Sequence, residues 1–365
     1  MDYIYIDTNS KLKELCEELE NEEEIAVDIE CENGLHHYGT FISIIQITAK
    51  GKNYIIDMLN INNVEPLKEI FENALINKIF HDVNFDLSIL YTQYKIKVNN
   101  IYDTQMAVKI LGDKEIGLGF VLKKYLDLDV EKKYQVSDWT TRPLPPEQLN
   151  YAVNDTAHMI KLKKILNEKL DKLKRKEWVE EMFREVDFKI FEHKKPDPLE
   201  MKGVKQLQDF EKGILRRIYF LREELAKKVN KPVFYIMRNK RLLEIAQNPP
   251  KDVHEWREMK GVHPVVKRYA WEFYNEVNQG KKEKFTTIKK TAKPGKPTPN
   301  RTEKTEKIIE IRNKIAEEHN IPSHLIMTRE MIDDLITSRT FPNMYNWQRD
   351  LLKEHEKEIF EIINN

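Results

Sequence analysis

Hydrophobic residues in the first third of the chain occur in short β-branched runs that alternate with amphipathic segments. Short apolar runs between polar or glycine-containing turns are typical of strands, whereas apolar residues spaced three and four apart are typical of helices. The strand-like runs are IAVDIE, FISIIQITAK, NYIIDML, KIFHD and NNIYDT. The helix-like segments are EPLKEIFENAL, FDLSILYTQY and MAVKILG, the last with Asp103 or Thr104 as its N-cap. Because three strands precede the alternation, the pattern predicts a mixed sheet flanked by helices, an α/β architecture.

Helical spacing dominates the chain from Pro146 onward, and the last 160 or so residues contain an internal repeat. REELAKKVNKPVFYIM, which starts at Arg222, aligns without a gap to RNKIAEEHNIPSHLIM, which starts at Arg312. Six identities recur 90 residues later: Arg222, Ala226, Asn230, Pro232, Ile236 and Met237 correspond to Arg312, Ala316, Asn320, Pro322, Ile326 and Met327. Each copy has the pattern of a helix, an Asn-x-Pro loop and another helix. The repeat therefore predicts two related helical domains.

The segment between the two repeats, GKKEKFTTIKKTAKPGKPTPN, is rich in Lys, Pro, Thr and Gly, which is the composition of a linker. Its lysines either contact phosphates or simply keep a tether in solvent. The predicted segments are an α/β domain (1–185), a linker (186–204), a first helical domain (205–282), a basic Pro/Lys linker (283–300) and a second helical domain (301–365).

Composition and charge narrow the class of protein. The 61 Lys and Arg residues balance 61 Asp and Glu residues, which argues against a simple polycationic nucleic-acid binder but leaves local basic patches open. The two cysteines, Cys16 and Cys31, lack metal-type spacing and indicate a reducing compartment. The N-terminal residues lack the pattern of a signal peptide, and no apolar run approaches the roughly 20 residues that span a bilayer. We therefore expect a cytoplasmic protein without membrane association.

Two acidic residues interrupt the first predicted strand, IAVDIE. Asp28 and Glu30 should point to the same face of that strand, about 7 Å apart, while Val27 and Ile29 point to the other face. An Asp-x-Glu pair alone is a weak signal in a chain with 61 acidic residues. Its position in an apolar strand strengthens it, because buried carboxylates require a compensating cation.

Two later segments add acidic and phenolic groups. Asp86 lies just inside the helix FDLSILYTQY, where the helix dipole alone would favour a carboxylate, and Asp82 competes with it but is expected to be a turn residue. In YAVNDTAHMI, Tyr151 and Asp155 are four residues apart and therefore share a helix face. A core aromatic whose hydroxyl finds one partner is the alternative for Tyr151.

If Asp28, Glu30, Asp86 and Asp155 converge, four carboxylates share one cleft and cannot all remain ionised without cations. Ligand sets made only of oxygen favour Mg²⁺ or Mn²⁺ over zinc. Two such ions about 3.5–4 Å apart assist in-line attack on a phosphodiester. Tyr151 would orient the attacking water or help to remove its proton.

The order Asp-x-Glu, Asp, Tyr-x₃-Asp resembles that of the DEDDy 3′–5′ exonucleases, and the surrounding sequence resembles ribonuclease D and its relatives in the RNA exosome. The matching segments are AVDIE with IIQIT, FHDVNFDL, YDTQMA and, most specifically, KKYQVSDWTTRPLPPEQLNYAVNDT. The resemblance implies a ribonuclease H-like exonuclease domain. It places the ligands of two Mg²⁺ or Mn²⁺ ions at Asp28, Glu30, Asp86 and Asp155, and the water-positioning tyrosine at Tyr151.

Both helical repeats resemble the HRDC domain, a small helical bundle that binds nucleic acids. KPVFYIMRNKRLLEIAQNPP and MKGVHPVVKRYA carry the likeness in the first copy, and NWQRDLL carries it in the more divergent second copy. One exonuclease domain followed by two HRDC domains is the layout of bacterial ribonuclease D. The resemblance thus implies a 3′–5′ exoribonuclease that trims single-stranded 3′ ends of tRNA precursors and other small structured RNAs, releasing nucleoside 5′-monophosphates. The sequence leaves the oligomeric state open, with a monomer favoured. A DNA exonuclease of the same superfamily and a non-catalytic RNA-binding protein are the alternatives.

Several other residues invite a functional interpretation that the pattern does not require. His36 and His37 either line the substrate entrance or, as we expect, are only surface residues of a loop. Trp139 and Arg142 either contact RNA or hold their loop against the sheet. His81, like His158, is expected to be a structural residue and not a metal ligand.

Overall fold

The computed structural model describes residues 1–130, 133–184, 197–283 and 299–364. It confirms the predicted mixed sheet with flanking helices, followed by helical domains. The strands are β1 (Ile4–Ile6), β2 (Glu24–Asn33), β3 (Thr40–Ala49), β4 (Lys52–Asp57), β5 (Asn77–Phe80) and β6 (Ile101–Asp103). β1 was not predicted, because three residues are too few to carry a period-two pattern.

The sheet has the strand order β1-β4-β3-β2-β5-β6, so β2 lies in its middle. β2, β3 and β4 form an antiparallel meander, whereas β1 pairs with β4, β5 with β2, and β6 with β5 in parallel. The register between β2 and β3 slips at Glu30 and Cys31, which face Ile44 and Ile42 and leave Ser43 as the extra residue. The hydroxyl of Ser43 donates a hydrogen bond to the carbonyl of Trp139. The bulge therefore ties β3 to the loop that contains Trp139.

Eight helices belong to the described part of the α/β domain. They are α1 (Asn9–Leu19), α2 (Glu65–Glu72), α3 (Asn84–Tyr94), α4 (Thr104–Leu111), α5 (Leu118–Leu126), α6 (Pro146–Ala157), α7 (Met159–Lys172) and α8 (Lys176–Arg184). Of the two residues predicted to cap α4, Asp103 does so, since its carboxylate accepts hydrogen bonds from the backbone N–H of Gln105 and Met106.

Two layers of helices cover the two faces of the sheet. Alternate residues of β2 enter opposite layers: Ile25, Val27 and Ile29 pack with α1, α2 and α3. On the other face α6 contacts β2, β3 and β4, while α4, α5, α7 and α8 cover β5 and β6. Asp28 and Glu30, which alternate with the buried aliphatic residues, therefore point towards the layer that contains α6.

The helical region forms two units. The first contains α9 (Asp209–Val229), α10 (Val233–Ile236), α11 (Asn239–Gln247), α12 (Val253–Glu258), α13 (Pro264–Arg268) and α14 (Ala270–Gly280). The second contains α15 (Pro299–His319), α16 (Ser323–Ile326), α17 (Arg329–Ser338), α18 (Asn346–Leu352) and α19 (Glu356–Asn364). Short 3₁₀ turns occur at Pro198–Glu200, Val204–Gln206 and Lys353–His355.

The two units repeat the same local geometry, as the sequence repeat predicts. Arg222 donates to the carbonyl of Met237 over 3.0 Å, and Arg312 donates to that of Met327 over 3.1 Å. The helix before each loop ends at an asparagine in the left-handed region, with φ of 49° at Asn230 and 48° at Asn320. Asparagine tolerates this conformation better than most residues, which explains its recurrence.

The two units attach to the α/β domain differently. The first has its own core, to which Val204, from the described end of the predicted linker 186–204, contributes. The second shares one continuous core with α4, α5, α7 and α8. Gly112, with φ of 91°, lies so close to this unit that an added Cβ would meet the backbone oxygen of Asn320 at 1.9 Å. Most of the predicted linker 283–300 lies outside the described residues.

No helix in the described ranges combines the length and the apolar character needed to cross a membrane.

Candidate active site

Strand β2, helix α3 and helix α6 meet at a cleft of about 340 Å³. Its lining includes all five residues that the sequence predicted for catalysis: Asp28, Glu30, Asp86, Tyr151 and Asp155. They come from three segments that are distant in sequence. The folded sheet brings the segments together because β2 is its central strand and α6 packs directly on it.

The turn between β5 and α3 positions Asp86. Asp82 has φ of 68°, and its backbone N–H donates to the carboxylate of Asp103 over 3.0 Å. The N–H of Val83 donates to the same carboxylate over 3.3 Å. Asp82 is therefore a turn residue, as expected, and Asp86 occupies the first turn of α3, where it is 7% exposed. Asp103, which also caps α4, supports this turn, a role that the sequence pattern did not reveal.

Helix α6 carries Tyr151 and Asp155 on one face, as their spacing predicts. Their side chains are hydrogen-bonded to each other, and both are buried. The ring of Tyr151 packs between Tyr134 and Trp139, with ring centroids 6.0 Å and 6.1 Å away. The tyrosine is thus both a packed aromatic, as the alternative interpretation holds, and a member of the cleft.

One carboxylate oxygen from each of Asp28, Glu30 and Asp155 lies within 4.8 Å of the other two. Asp86 lies outside that group but lines the same cleft. The charge of Asp86 raises the pKa of Glu30, and the charge of Asp28 raises the pKa of Asp86. Three of the four predicted metal ligands are thus in immediate proximity, with the fourth beside them. Carboxylates at this spacing can share divalent cations through oxygen ligands alone.

Burial raises the pKa values of all four carboxyl groups, and the charges of neighbouring carboxylates add to the rise at Glu30, Asp86 and Asp155. Desolvation is the main cause, and it raises the pKa of Asp28 to about 6 and, together with the charge of Asp28, that of Asp155 to about 8. Desolvation and neighbouring acids hold the pKa values of Glu30 and Asp86 well above their usual range. The described residues that line the cleft include no lysine or arginine. The donor set and its charge therefore fit divalent cations of the magnesium or manganese type.

The phenol of Tyr151 is held in its neutral form. Burial, followed by the charge of Asp155, raises its pKa above the usual value. A neutral phenol in this position can orient a water molecule by hydrogen bonding.

Arg142 and Trp139 hold their loop against the sheet, which decides between the two interpretations of their roles. The guanidinium of Arg142 makes two 2.7 Å hydrogen bonds to the carboxylate of Asp57 and a third, also 2.7 Å, to the carbonyl of Trp139. The indole of Trp139 is 1% exposed, so it cannot stack on a base.

Neither His81 nor His158 belongs to a group of possible metal ligands in the described residues, and their assignment as structural residues stays a prediction. His81 lines the cleft, but its Nδ1 lies 2.8 Å from the hydroxyl of Thr104, and burial lowers its pKa. His158 ends α6, and burial also lowers its pKa.

The expectation that His36 and His37 are only surface residues is wrong for His37. Its Nε2 lies 2.8 Å from the hydroxyl of Thr140, and its Nδ1 lies 3.1 Å from the side-chain nitrogen of Asn230. The loop after β2 is thus a contact with the first helical unit. Sequence reasoning also missed Glu32, a buried acid that continues the two-residue spacing of Asp28 and Glu30.

Comparison with protein families identifies two regions of the chain. A family model described as 3′-5′ exonuclease matches residues 3–171, and a model described as HRDC domain matches residues 211–277.

Curated relatives include exosome proteins. The chain is 28% identical over 268 residues to the exosome complex exonuclease RRP6 of Saccharomyces cerevisiae, and the alignment covers 68% of this chain and 36% of that protein. It is 30% identical over 255 residues to an exosome complex component 10 homolog of Caenorhabditis elegans, and that alignment covers 68% of this chain and 29% of the relative. The chain therefore spans about a third of the length of these relatives.

Two solved structures share the fold. RNase D of Escherichia coli, described as an exoribonuclease involved in structured RNA processing, matches with a TM-score of 0.69 and 19% identity over 99% of both chains. The catalytic core of RRP6 from Trypanosoma brucei matches with a TM-score of 0.63 and 24% identity over 76% of this chain and 79% of that one. At these identities the likeness supports the fold alone.

Proposed function

We propose that this chain, which carries a DEDD-type 3′–5′ exonuclease domain followed by an HRDC domain, is a metal-dependent 3′–5′ exoribonuclease. The observation that carries the proposal is the meeting of Asp28, Glu30 and Asp155 within 4.8 Å, in a cleft that Asp86 and Tyr151 also line. A scaffold that only binds RNA would have no need to bury four repelling carboxylates in an open cleft.

The four carboxylates would hold two divalent cations, Mg²⁺ or Mn²⁺. When bound, such ions supply Lewis-acid assistance to the attack of water on a phosphodiester and stabilise the charge that develops. Within the chain, Asp28 and Glu30 sit on the rigid central strand, while Asp86 and Asp155 approach from helix ends and faces that pack on it. Rigid elements of this kind keep ligands in place without reorganisation during the reaction.

Tyr151 would orient the attacking water. Its hydrogen bond to Asp155 and its packing against Tyr134 and Trp139 fix the position of the hydroxyl. Trp139 is in turn held through its carbonyl by Ser43 and Arg142. The chain of contacts from the sheet to the phenol gives Tyr151 a defined position relative to the carboxylates.

We propose RNAs with single-stranded 3′ ends, tRNA precursors among them, as substrates, with nucleoside 5′-monophosphates as products. The first helical unit supports this, because Asn230 contacts the loop that directly follows the catalytic strand β2. An RNA body bound by that unit would lie beside the cleft, so its 3′ end could reach the carboxylates. The sequence likeness to the exosome complex exonuclease RRP6 supports RNA over DNA.

The test is digestion of a 5′-labelled tRNA precursor with a 3′ extension, beside a DNA oligonucleotide of matched sequence. We expect ladders that shorten from the 3′ end of the RNA, that require Mg²⁺ or Mn²⁺, and that disappear with EDTA. Asp155→Asn should abolish them. Faster cleavage of the DNA than of the RNA would favour the DNA exonuclease alternative, and cleavage that survives both EDTA and Asp155→Asn would overturn the proposal.

A further inference from the structure

We propose that Glu32, His36 and Asp138 form a second metal site, which binds one divalent transition-metal ion beside the catalytic carboxylates. Their ligand atoms, two carboxylate oxygens and an imidazole nitrogen, all lie within 4.8 Å of one another. Glu32 is at the end of β2, His36 is in the following loop, and Asp138 belongs to the loop that precedes α6. The site would therefore join the loop that follows the catalytic strand β2 to the loop before α6.

Glu32 has one carboxylate oxygen committed to the chain and one directed at the site. Its Oε1 accepts hydrogen bonds from the backbone N–H of Leu35 over 2.6 Å and of His36 over 3.1 Å. Its Oε2 lies 3.5 Å from Nδ1 of His36. The residue is only 2% exposed, so its carboxylate is fixed before any ion arrives.

Asp138 shows the same division between its two oxygens. Oδ1 accepts hydrogen bonds from the backbone N–H and the hydroxyl of Thr140, over 2.9 Å and 2.6 Å. Oδ2 lies 3.3 Å from Nε2 of His37. One oxygen thus holds the loop in shape, while the other faces His37, the neighbour of His36.

The donor set predicts which ions would bind. Imidazole together with carboxylates suits Zn²⁺ and similar transition metals, whereas Mg²⁺ prefers oxygen ligands and water. A Zn²⁺ ion holds its nitrogen and oxygen ligands at about 2.0–2.2 Å, so the ligand atoms must close up slightly around it. The half-exposed ring of His36 can make that adjustment by rotation about its side-chain bonds, and it leaves a path from solvent.

A simple hydrogen-bonded pair of His36 and Glu32 is the alternative, and the chain contains a matched example. Nδ1 of His355 lies 3.4 Å from Oε2 of Glu358, at a similar distance on a helical surface. Within the described residues that pair has no third ligand at the distance seen here, whereas Asp138 completes the group at His36. His355 therefore serves as the control for His36.

An ion at this site would bear on the contact between domains. The residues that follow His36, namely His37 and Tyr38, both contact Asn230 of the first helical unit. By tying His36 to β2 and to the loop of Asp138, the ion would hold these contacts in place.

The test measures Zn²⁺ binding to the full chain by calorimetry in an Asp28→Asn, Asp155→Asn background, where the catalytic cluster is disabled. We expect one Zn²⁺ per chain that a hundredfold excess of Mg²⁺ does not displace. His36→Ala should weaken this binding at least about tenfold, since even residues that only orient ligands contribute that much. His355→Ala should leave it unchanged.

Asp138→Asn provides a second variant, because its remaining oxygen can still accept the hydrogen bonds from Thr140. It should also weaken Zn²⁺ binding, and its unfolding temperature without metal reports whether the loop is intact. The proposal is overturned if no stoichiometric Zn²⁺ binds, if Mg²⁺ displaces it, or if both variants bind as tightly as His355→Ala.

Discussion

Buried carboxylates occur both at the end of β4, where Asp57 lies, and in the catalytic cleft, but their charges are compensated in different ways. Burial acts to raise the pKa of Asp57, yet hydrogen bonds from Arg142 and Tyr5 outweigh it and hold that pKa below its usual value. In the catalytic cleft burial raises the pKa values of Asp28 and Asp155 to about 6 and about 8. There the described lining residues supply no lysine or arginine.

This difference separates a structural carboxylate from a functional one. Where the chain uses Asp57 to hold the loop of Trp139, it supplies the cation itself, in a bidentate arrangement. In the cleft the described lining residues supply no such cation, so under the proposed function ions from solution would neutralise the charges and leave coordination positions open to substrate and water. Mutations at the two places should therefore act on different properties.

The largest effect is expected on activity, from loss of a carboxylate in the cleft. Asp86→Asn and Asp155→Asn should each lower kcat on single-stranded RNA by about a thousandfold or more, because they weaken the binding of ions that stabilise the transition state. Neither should lower the stability of the metal-free protein, since each removes a repelling charge. Initial rates on single-stranded RNA measure kcat, and urea denaturation curves measure the stability of the metal-free protein.

Asp82→Asn is the matched control for Asp86→Asn. Asp82 is a turn residue with φ of 68°, a conformation that asparagine accepts readily. The Asp82→Asn variant should cleave RNA at a rate within about threefold of the unaltered chain, as expected for an isosteric change outside the ligand set. Equal losses in both variants would remove the distinction between turn residue and ligand.

The converse prediction concerns Arg142→Met. This substitution keeps the aliphatic stem but leaves Asp57 buried without its cation, so we expect the free energy of unfolding to fall by about 3 kcal/mol. Urea denaturation measures it. Arg241→Met, which breaks an exposed pair with Glu244, should change it by less than about 1 kcal/mol. Similar losses of unfolding free energy in the two variants would show that the pair of Arg142 and Asp57 stabilises the protein no more than an exposed ion pair does.

Tyr151→Phe should lower kcat by about a hundredfold, the usual contribution of a positioned hydrogen-bonding group to a proton-transfer step. It should leave Mn²⁺ affinity nearly unchanged, because the phenol is not in the ligand set. Single-turnover kinetics and Mn²⁺ titration separate the two effects. A variant with the unaltered rate would remove the role assigned to the phenol.

A smaller effect is expected in the dependence of stability on pH. The carboxyl groups of the cleft have higher pKa values folded than unfolded, so the folded state binds more protons above pH 4. In EDTA their contribution to stability should therefore be largest near pH 4 and decline as pH rises to about 8. Saturating Mn²⁺ should remove this decline. Thermal unfolding at several pH values would show it, and a flat profile in EDTA would argue against uncompensated charges.

Much of the fold and site could be predicted from local patterns. The strand alternation around Asp28 and Glu30 and the helical spacing of Tyr151 and Asp155 depend on short-range periodicity, which the sequence displays directly. Their convergence rested on resemblance, because no local pattern says that α6 packs on β2.

What the sequence could not reveal depends on contacts between distant segments. The contact of His37 with Asn230 joins residues 193 positions apart, and neither residue carries a periodic signal. The repeat predicted two similar units, but not that the second would share a core with the α/β domain. Assignment of that second unit as an HRDC domain stays a prediction.

The most direct measurement of the central claim is the anomalous diffraction of a crystal soaked in Mn²⁺. The account predicts two anomalous peaks about 3.5–4 Å apart, in contact with the carboxylates of Asp28, Glu30, Asp86 and Asp155. A crystal of protein that degrades RNA in the same Mn²⁺ buffer, yet shows no peak among these four carboxylates, would contradict it.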